Sequence, residues 1–153
     1  MENKIIIIYQ SKKGNTKYLA ELIAKELKCE AIDVAQNPKI NLEQYNLVGF
    51  GSGVYFGSFG CELKKWIKNI QWSAPEVCKP DAFIFTTQHV SKANRIHSRF
   101  NKFLQKKAGI TTISGWATQP KYLKTPESFA NLKEWINSKI FVPKSAVKVE
   151  NKN

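Results

Sequence analysis

The stretch Ile5-Ile6-Ile7-Ile8-Tyr9-Gln10-Ser11-Lys12-Lys13-Gly14-Asn15-Thr16 decides the fold. Its first half is a continuous apolar run of strand length, and a strand without polar alternation is one covered on both faces. The run breaks into small, polar and basic residues and then into TKYLAELIAKEL (16–27), where Leu19, Leu22, Ile23 and Leu27 recur at helical spacing. A buried strand that delivers such a turn to the start of a helix can bind phosphate, because the first helical N–H groups have no intrahelical acceptor and lie at the positive end of the helix dipole. Lys12 and Lys13 add cationic charge there. The partner expected is a phosphorylated cofactor. An ordinary strand-to-helix turn, in which Gly14 and Asn15 serve the backbone alone, is the plainer alternative.

Outward from this stretch, strand and helix patterns alternate. Cys29–Val34, Leu47–Ser52, Ala82–Thr87 and Ile110–Ser114 read as strands. Phe59–Ile70, Lys92–Ala108 and Glu127–Ile140 read as helices, with apolar faces such as Leu63, Trp66, Ile67 and Ile70. Strict alternation of five strands and four helices predicts a doubly wound α/β/α domain, with right-handed crossovers placing helices on both faces of a parallel sheet. Residues 1–142 form that one domain. The Lys- and Asn-rich tail from Pro143 to Asn153 reads as a loosely ordered extension.

Two familiar nucleotide fingerprints do not fit the turn. A P-loop requires Lys-Ser/Thr after its second glycine, whereas Gly14 is followed by Asn15-Thr16, and a dinucleotide fold requires three spaced glycines where this segment has one. The segment does resemble the signature of the flavodoxin family, Thr/Ser-x-Thr/Ser-Gly-Asn-Thr after the first strand. Ser11, Gly14, Asn15 and Thr16 match, while Lys13 replaces the usual hydroxyl with a cation. The resemblance extends over roughly residues 4–140 and also touches the flavodoxin-like protoporphyrinogen oxidases. It implies a flavodoxin-like five-stranded parallel sheet in the order 2-1-3-4-5, and FMN as cofactor. Periodicity alone does not fix that order.

In an open parallel sheet the ligand belongs at the carboxyl ends of the strands, where the strand order reverses. Three segments meet there. Ser11, Lys12, Lys13, Gly14, Asn15 and Thr16 supply the phosphate turn. Ser52, Gly53, Val54, Tyr55, Phe56 and Gly57 follow the third strand, in a loop whose glycines let backbone approach a flat ring and whose aromatics could stack on it; the resemblance puts Tyr55 against the flavin. Phe56 and Phe59 could instead pack the strand-to-helix corner. Thr86, Thr87, Gln88 and His89 follow the fourth strand, and by location they resemble the second flavin loop, where backbone amides and the Gln88 amide could meet the donor and acceptor edge of the pyrimidine ring. His89 could relay a proton or simply be solvated; His97, among apolar residues of the next helix, reads as structural.

No Ser/His/Asp order, carboxylate pair or metal-ligand spacing is evident, and no catalytic or metal residue is assigned. This suits a cofactor that carries its own redox chemistry. Cys29, Cys61 and Cys78 are widely spaced and odd in number, which suits thiols rather than a disulfide frame or zinc site. The apolar run at 5–8 is far too short to span a bilayer, and the chain reads as cytoplasmic.

Charge separates the chain from acidic flavodoxins. It carries 24 Lys and Arg against 12 Asp and Glu, a formal net charge of +12. No acid lies between Asp81 and Glu127, and Lys92, Arg95, Arg99, Lys102 and Lys106 fall along one helical stripe. Such a ridge suits an acidic redox partner, could rest on anionic lipid, or could be a plain solvated surface; nucleic acid has no supporting motif beyond charge. The expected function is therefore electron transfer between redox partners by bound FMN. A protoporphyrinogen oxidase-type flavoenzyme is the alternative, and a flavin-free basic binding module is the third.

Overall fold

A computed structural model describes residues 4–88 and 93–140. His89, Lys92 and the tail from Pro143 therefore lie outside the described residues. In chain order the elements are β1 (Ile5–Gln10), α1 (Asn15–Leu27), β2 (Glu30–Asp33), β3 (Leu47–Tyr55), β4 (Ser58–Phe59), α2 (Cys61–Lys68), β5 (Asp81–Thr87), α3 (Ala93–Ala108), β6 (Thr112–Thr118) and α4 (Pro126–Trp135), with a π turn over Ile136–Ile140. Five strands run parallel in the order β2-β1-β3-β5-β6, the expected order once the two-residue β4 is set aside. β4 folds back antiparallel on β3.

The apolar run of β1 serves two cores. Ile6 and Ile8 face one side with Phe50, Leu63, Ile67, Ala82, Ile84, Phe100 and Leu104, beneath α2 and α3. Ile7 and Tyr9 face the other with Leu19, Ile23, Leu27, Phe83, Phe85, Leu132, Trp135 and Ile136, beneath α1 and α4. Side-chain alternation along a strand buried on both faces gives this division, so both faces of β1 and β5 are apolar through their middles, and buried polar residues enter only at the carboxyl ends, at Gln10, Thr86 and Thr87. On the second face β3 offers glycine where a larger residue would be expected. A Cβ at Gly49 would lie 2.3 Å from the Phe83 ring, and one at Gly51 2.0 Å from the Phe85 ring. Two phenylalanines of β5 thus lie across the bare backbone of its neighbour.

The observed boundaries differ from those read in the sequence at three places that bear on the site or the core. β3 does not stop at Ser52 but runs to Tyr55, so Gly53, Val54 and Tyr55 are strand residues rather than loop, paired in part with the returning β4. Phe59 is not the start of a helix: it pairs with Val54, is buried, and stacks on Phe100 at 3.8 Å, so α2 begins at Cys61. The last strand begins later and runs further than Ile110–Ser114. Ile110 is buried before the strand begins, and the register slips between Ala82 and Phe83, which pair with Thr112 and Ser114 and leave Ile113 bulged and exposed. The strand then continues through Gly115, where a Cβ would come within 2.4 Å of His97 Nδ1, to Thr118.

Candidate functional site

β1, β3 and β5 end side by side, and their carboxyl ends carry the three segments singled out in the sequence. Gly14 takes φ 91°, a left-handed conformation that suits glycine, and a Cβ there would meet nothing within 4 Å: the turn faces open space. Ser11 Oγ accepts hydrogen bonds from the Gly14 and Lys17 amides at 3.1 Å each and closes the turn on itself. Its own hydroxyl proton remains able to donate outward. Gly14 provides no side-chain cap for α1, and the first helical turn contains no acid. The amides of Lys13, Asn15 and Thr16 find no protein acceptor among the described residues.

A small cavity of about 110 Å³ lies against this turn, lined by Ser11, Lys12, Lys13, Asn15, Thr16 and Thr87, with Gly53, Val54 and Tyr55 on its far side. Those unpartnered amides, two lysines and an open turn fit the phosphate end of a nucleotide. Thr16 and Thr87 are buried and share a hydroxyl contact of 2.8 Å, which fixes the first turn of α1 to the end of β5.

Tyr55 lies back over the site. Its hydroxyl would be 2.6 Å from a Cβ at Gly53, and the Lys12 ammonium sits 4.4 Å from its ring centroid. Burial raises the phenol pKa, while the approaching backbone amides of Lys12 and Gly53 oppose the rise. Tyr55 and the phosphate turn are thus in direct contact. Phe56 and Gly57 form the two-residue tip between β3 and β4 with φ 52° and 76°, the positive pair of a type I′ hairpin. Phe56 is not among the residues that line the cavity and is fully exposed.

Ser52 and Thr86 lie deeper. Ser52 is buried, accepts from the Gly60 amide at 2.8 Å and donates to the Gly53 carbonyl at 2.6 Å, so its side chain secures the return of the hairpin. Gln10, not singled out in the sequence, does comparable work: its buried Oε1 accepts from the Leu63 amide at 2.9 Å and caps α2, whose Gly60 cap has no side chain. Thr86 Oγ1 meets His97 Nε2 at 2.8 Å beneath the site, and burial lowers the His97 pKa to about 4. Gln88 is buried at the end of β5. Cys29 is partly buried, its thiol pushed up to about 11 chiefly by burial, and Cys61 and Cys78 are exposed and free.

Beyond Gln88 a second cavity, of about 920 Å³, opens between α3, the end of β6 and α4; Arg95, Trp116, Gln119, Tyr122, Glu127 and Asn131 are among its walls. It adjoins the smaller cavity through the neighbouring pairs Thr87–Gln88 and Gln119–Pro120. No helix among the described residues is long and apolar enough to cross a membrane.

Comparison with known proteins agrees with this arrangement. An uncharacterized protein of Methanocaldococcus jannaschii is 34% identical over 85 residues, covering 55% of this chain and 53% of that protein, so the chain matches about half the length of this relative. A flavoprotein from Lactobacillus acidophilus, solved in complex with FMN, superposes with a TM-score of 0.59 at 20% identity, over 76% of this chain and 93% of its own. A flavodoxin from the domain Archaea gives 0.65 at 17% identity, over 86% and 92%. At these identities the two structures attest the fold. The flavodoxin domain profile matches residues 6–122, from the second residue of β1 to the turn beyond β6, and with the glycine turn, strand order and hairpin all inside that span, the chain belongs to the flavodoxin domain family.

Proposed function

We propose that this protein binds FMN and passes electrons between redox partners in the cytoplasm. The observation that carries the reading is the meeting, at the point where strand order reverses, of a turn with unpartnered amides, Tyr55 from β3 and Thr87 from β5. Ser11, Lys12, Lys13, Gly14, Asn15 and Thr16 hold the phosphate, with Lys13 contributing charge where relatives carry a hydroxyl. Tyr55 stacks on the ring, and the chain at Thr87 and Gln88 presents hydrogen-bonding groups to its polar edge, above the buried Thr86. FMN supplies the one- and two-electron chemistry; the protein supplies binding, orientation and local charge.

Support for an acidic redox partner comes from α3. Arg95, Arg99, Lys102 and Lys106 are exposed along it, and none meets an acid within ion-pair distance among the described residues. A field of one sign steers an oppositely charged partner and makes association salt-dependent.

Titration with FMN tests the reading: its fluorescence is quenched to a one-to-one end point, and a Lys12→Ala, Lys13→Ala double variant binds more weakly. Unquenched fluorescence at saturation overturns it in favour of a flavin-free basic module. The larger cavity favours a second reading, a flavoenzyme of the protoporphyrinogen oxidase type with its own substrate, since its volume suits a small molecule and Trp116 Nε1 is buried there without an acceptor. Turnover of protoporphyrinogen with a quinone distinguishes that enzyme from a carrier.

A further inference from the structure

Phe56 is the exposed residue least explained by packing or by the cofactor site. It sits at the tip of the β3–β4 hairpin at 109% relative exposure and with φ 52°, a conformation that favours Asn, Asp or Gly. No burial offsets that backbone cost. Lysines stand on both sides of the hairpin. Lys12 Nζ lies 4.4 Å from the Tyr55 ring centroid on one side; on the other, Lys64 Nζ donates to Ser58 Oγ at 2.7 Å and lies 4.7 Å from the Phe59 ring centroid. Lys13, beside Lys12, is exposed, and these lysines outnumber the neighbouring acids, Glu62 in the first turn of α2 and Asp33 at the end of β2, whose charge reaches Tyr55.

We infer that this hairpin is a membrane-surface contact, with the Phe56 ring entering the headgroup boundary of an anionic leaflet while Lys12, Lys13 and Lys64 meet its phosphates. A protruding aromatic flanked by cations is suited to that boundary, where the ring leaves water and each lysine gains from the negative surface potential. Two observations favour lipid over a protein partner. The collar is made of lysine, which protein interfaces tend to exclude, and the arginines they favour lie elsewhere, on α3. Among the described residues Phe56 also stands alone: the other large exposed apolar residues there, Ile113 and Tyr122, belong to β6 and the turn after it, so no described apolar cluster adjoins the hairpin to form an interface core. Phe56 and Lys64 stand outside the phosphate cavity and serve this contact with or without FMN, whereas Lys12 and Lys13 line that cavity and meet lipid in the FMN-free protein.

The full chain is sedimented with phosphatidylcholine vesicles and with mixed phosphatidylcholine–phosphatidylglycerol vesicles. Binding is expected to the mixed vesicles alone, weakened roughly tenfold by Phe56→Asn and roughly fivefold by each of Lys12→Gln and Lys64→Gln. Asn suits the turn, so the fold is retained, as circular dichroism verifies. A Phe56→Trp variant adds an emission component that shifts to the blue and is quenched by brominated acyl chains. Failure to sediment with mixed vesicles overturns the inference and leaves the hairpin to a protein partner. Sedimentation unchanged by Phe56→Asn, or an unshifted Phe56→Trp emission, also overturns it and assigns lipid binding to other basic segments. FMN titration of the same variants separates these results from any failure of the cofactor reading.

Discussion

Thr16 and Thr87, seventy-one positions apart in sequence, share a buried hydroxyl contact of 2.8 Å that fastens the start of α1 to the end of β5. Either Thr→Val substitution keeps the shape but leaves the other hydroxyl buried without its partner, at a cost of about 1–3 kcal/mol. The double Thr16→Val, Thr87→Val variant is expected to lose less than the sum of the single losses, because it leaves neither hydroxyl stranded. Urea unfolding of the four proteins in a double-mutant cycle measures the difference; strict additivity would show the contact to be energetically idle. FMN affinity should fall with both single variants, since the contact positions the phosphate turn.

Gly51 and Phe85 form a second coupled pair, this one apolar. Gly51→Ala drives a methyl group to within 2.0 Å of the Phe85 ring, and the tightly packed second core leaves the ring little room to retreat. The expected loss is about 1–3 kcal/mol from overpacking. Adding Phe85→Leu should recover part of it. Thermal melts of the single and double variants provide the measurement, and an unperturbed Gly51→Ala protein would mean that the sheet yields at this point.

This pair also shows where sequence reading stops. The apolar runs at 5–8 and 82–85 announced strands buried on both faces, and the order of elements followed from their spacing. The glycines at 49, 51 and 53 likewise recur with a period of two, but that signal lies in missing side chains, and the reason for the first two, Phe83 and Phe85 lying over bare backbone, is nonlocal, while Tyr55 covers Gly53 from two residues away. Phe59 was misread as helical because its partners, Val54 in the hairpin and Phe100 in α3, are set by tertiary pairing. Ser11 was legible as part of the site, but its bonds to the Gly14 and Lys17 amides were not, nor was the capping of α2 by Gln10. Hydrogen-bond partners of short polar side chains depend on where the chain returns, which local pattern does not encode.

Tyr55 offers a prediction of opposite signs. Its ring contacts the Lys12 ammonium and its hydroxyl crowds Gly53. If its ring stacks on the flavin, Tyr55→Ala weakens FMN binding by about tenfold, the loss of one aromatic contact. Tyr55→Phe keeps the ring but removes the hydroxyl that faces the backbone amides of Lys12 and Gly53, freeing those donors, and should bind at least as tightly as the parent. Parallel fluorescence titrations compare the three proteins; equal losses in both variants would mean that the hydroxyl, and not the ring, matters.

His97 makes stability depend on pH in a definite direction. Burial holds its pKa near 4 in the folded protein, below the ordinary 6.5, so the neutral ring facing Thr86 Oγ1 and Gly115 is the form the fold accepts. Between those two values the unfolded chain binds more protons than the folded one, and stability therefore falls as the medium becomes more acidic. The contribution is fully present above pH 6.5 and is lost progressively toward pH 4. The shift caps the loss at about 3 kcal/mol, and partial exposure of the ring brings it nearer 1–2 kcal/mol. A His97→Gln variant can still hydrogen-bond to Thr86 but does not titrate. Its denaturant midpoint should lie below that of the parent at pH 7.5, and the gap should narrow by pH 4.5. A constant gap across that range would mean that the imidazole proton is not excluded by the fold.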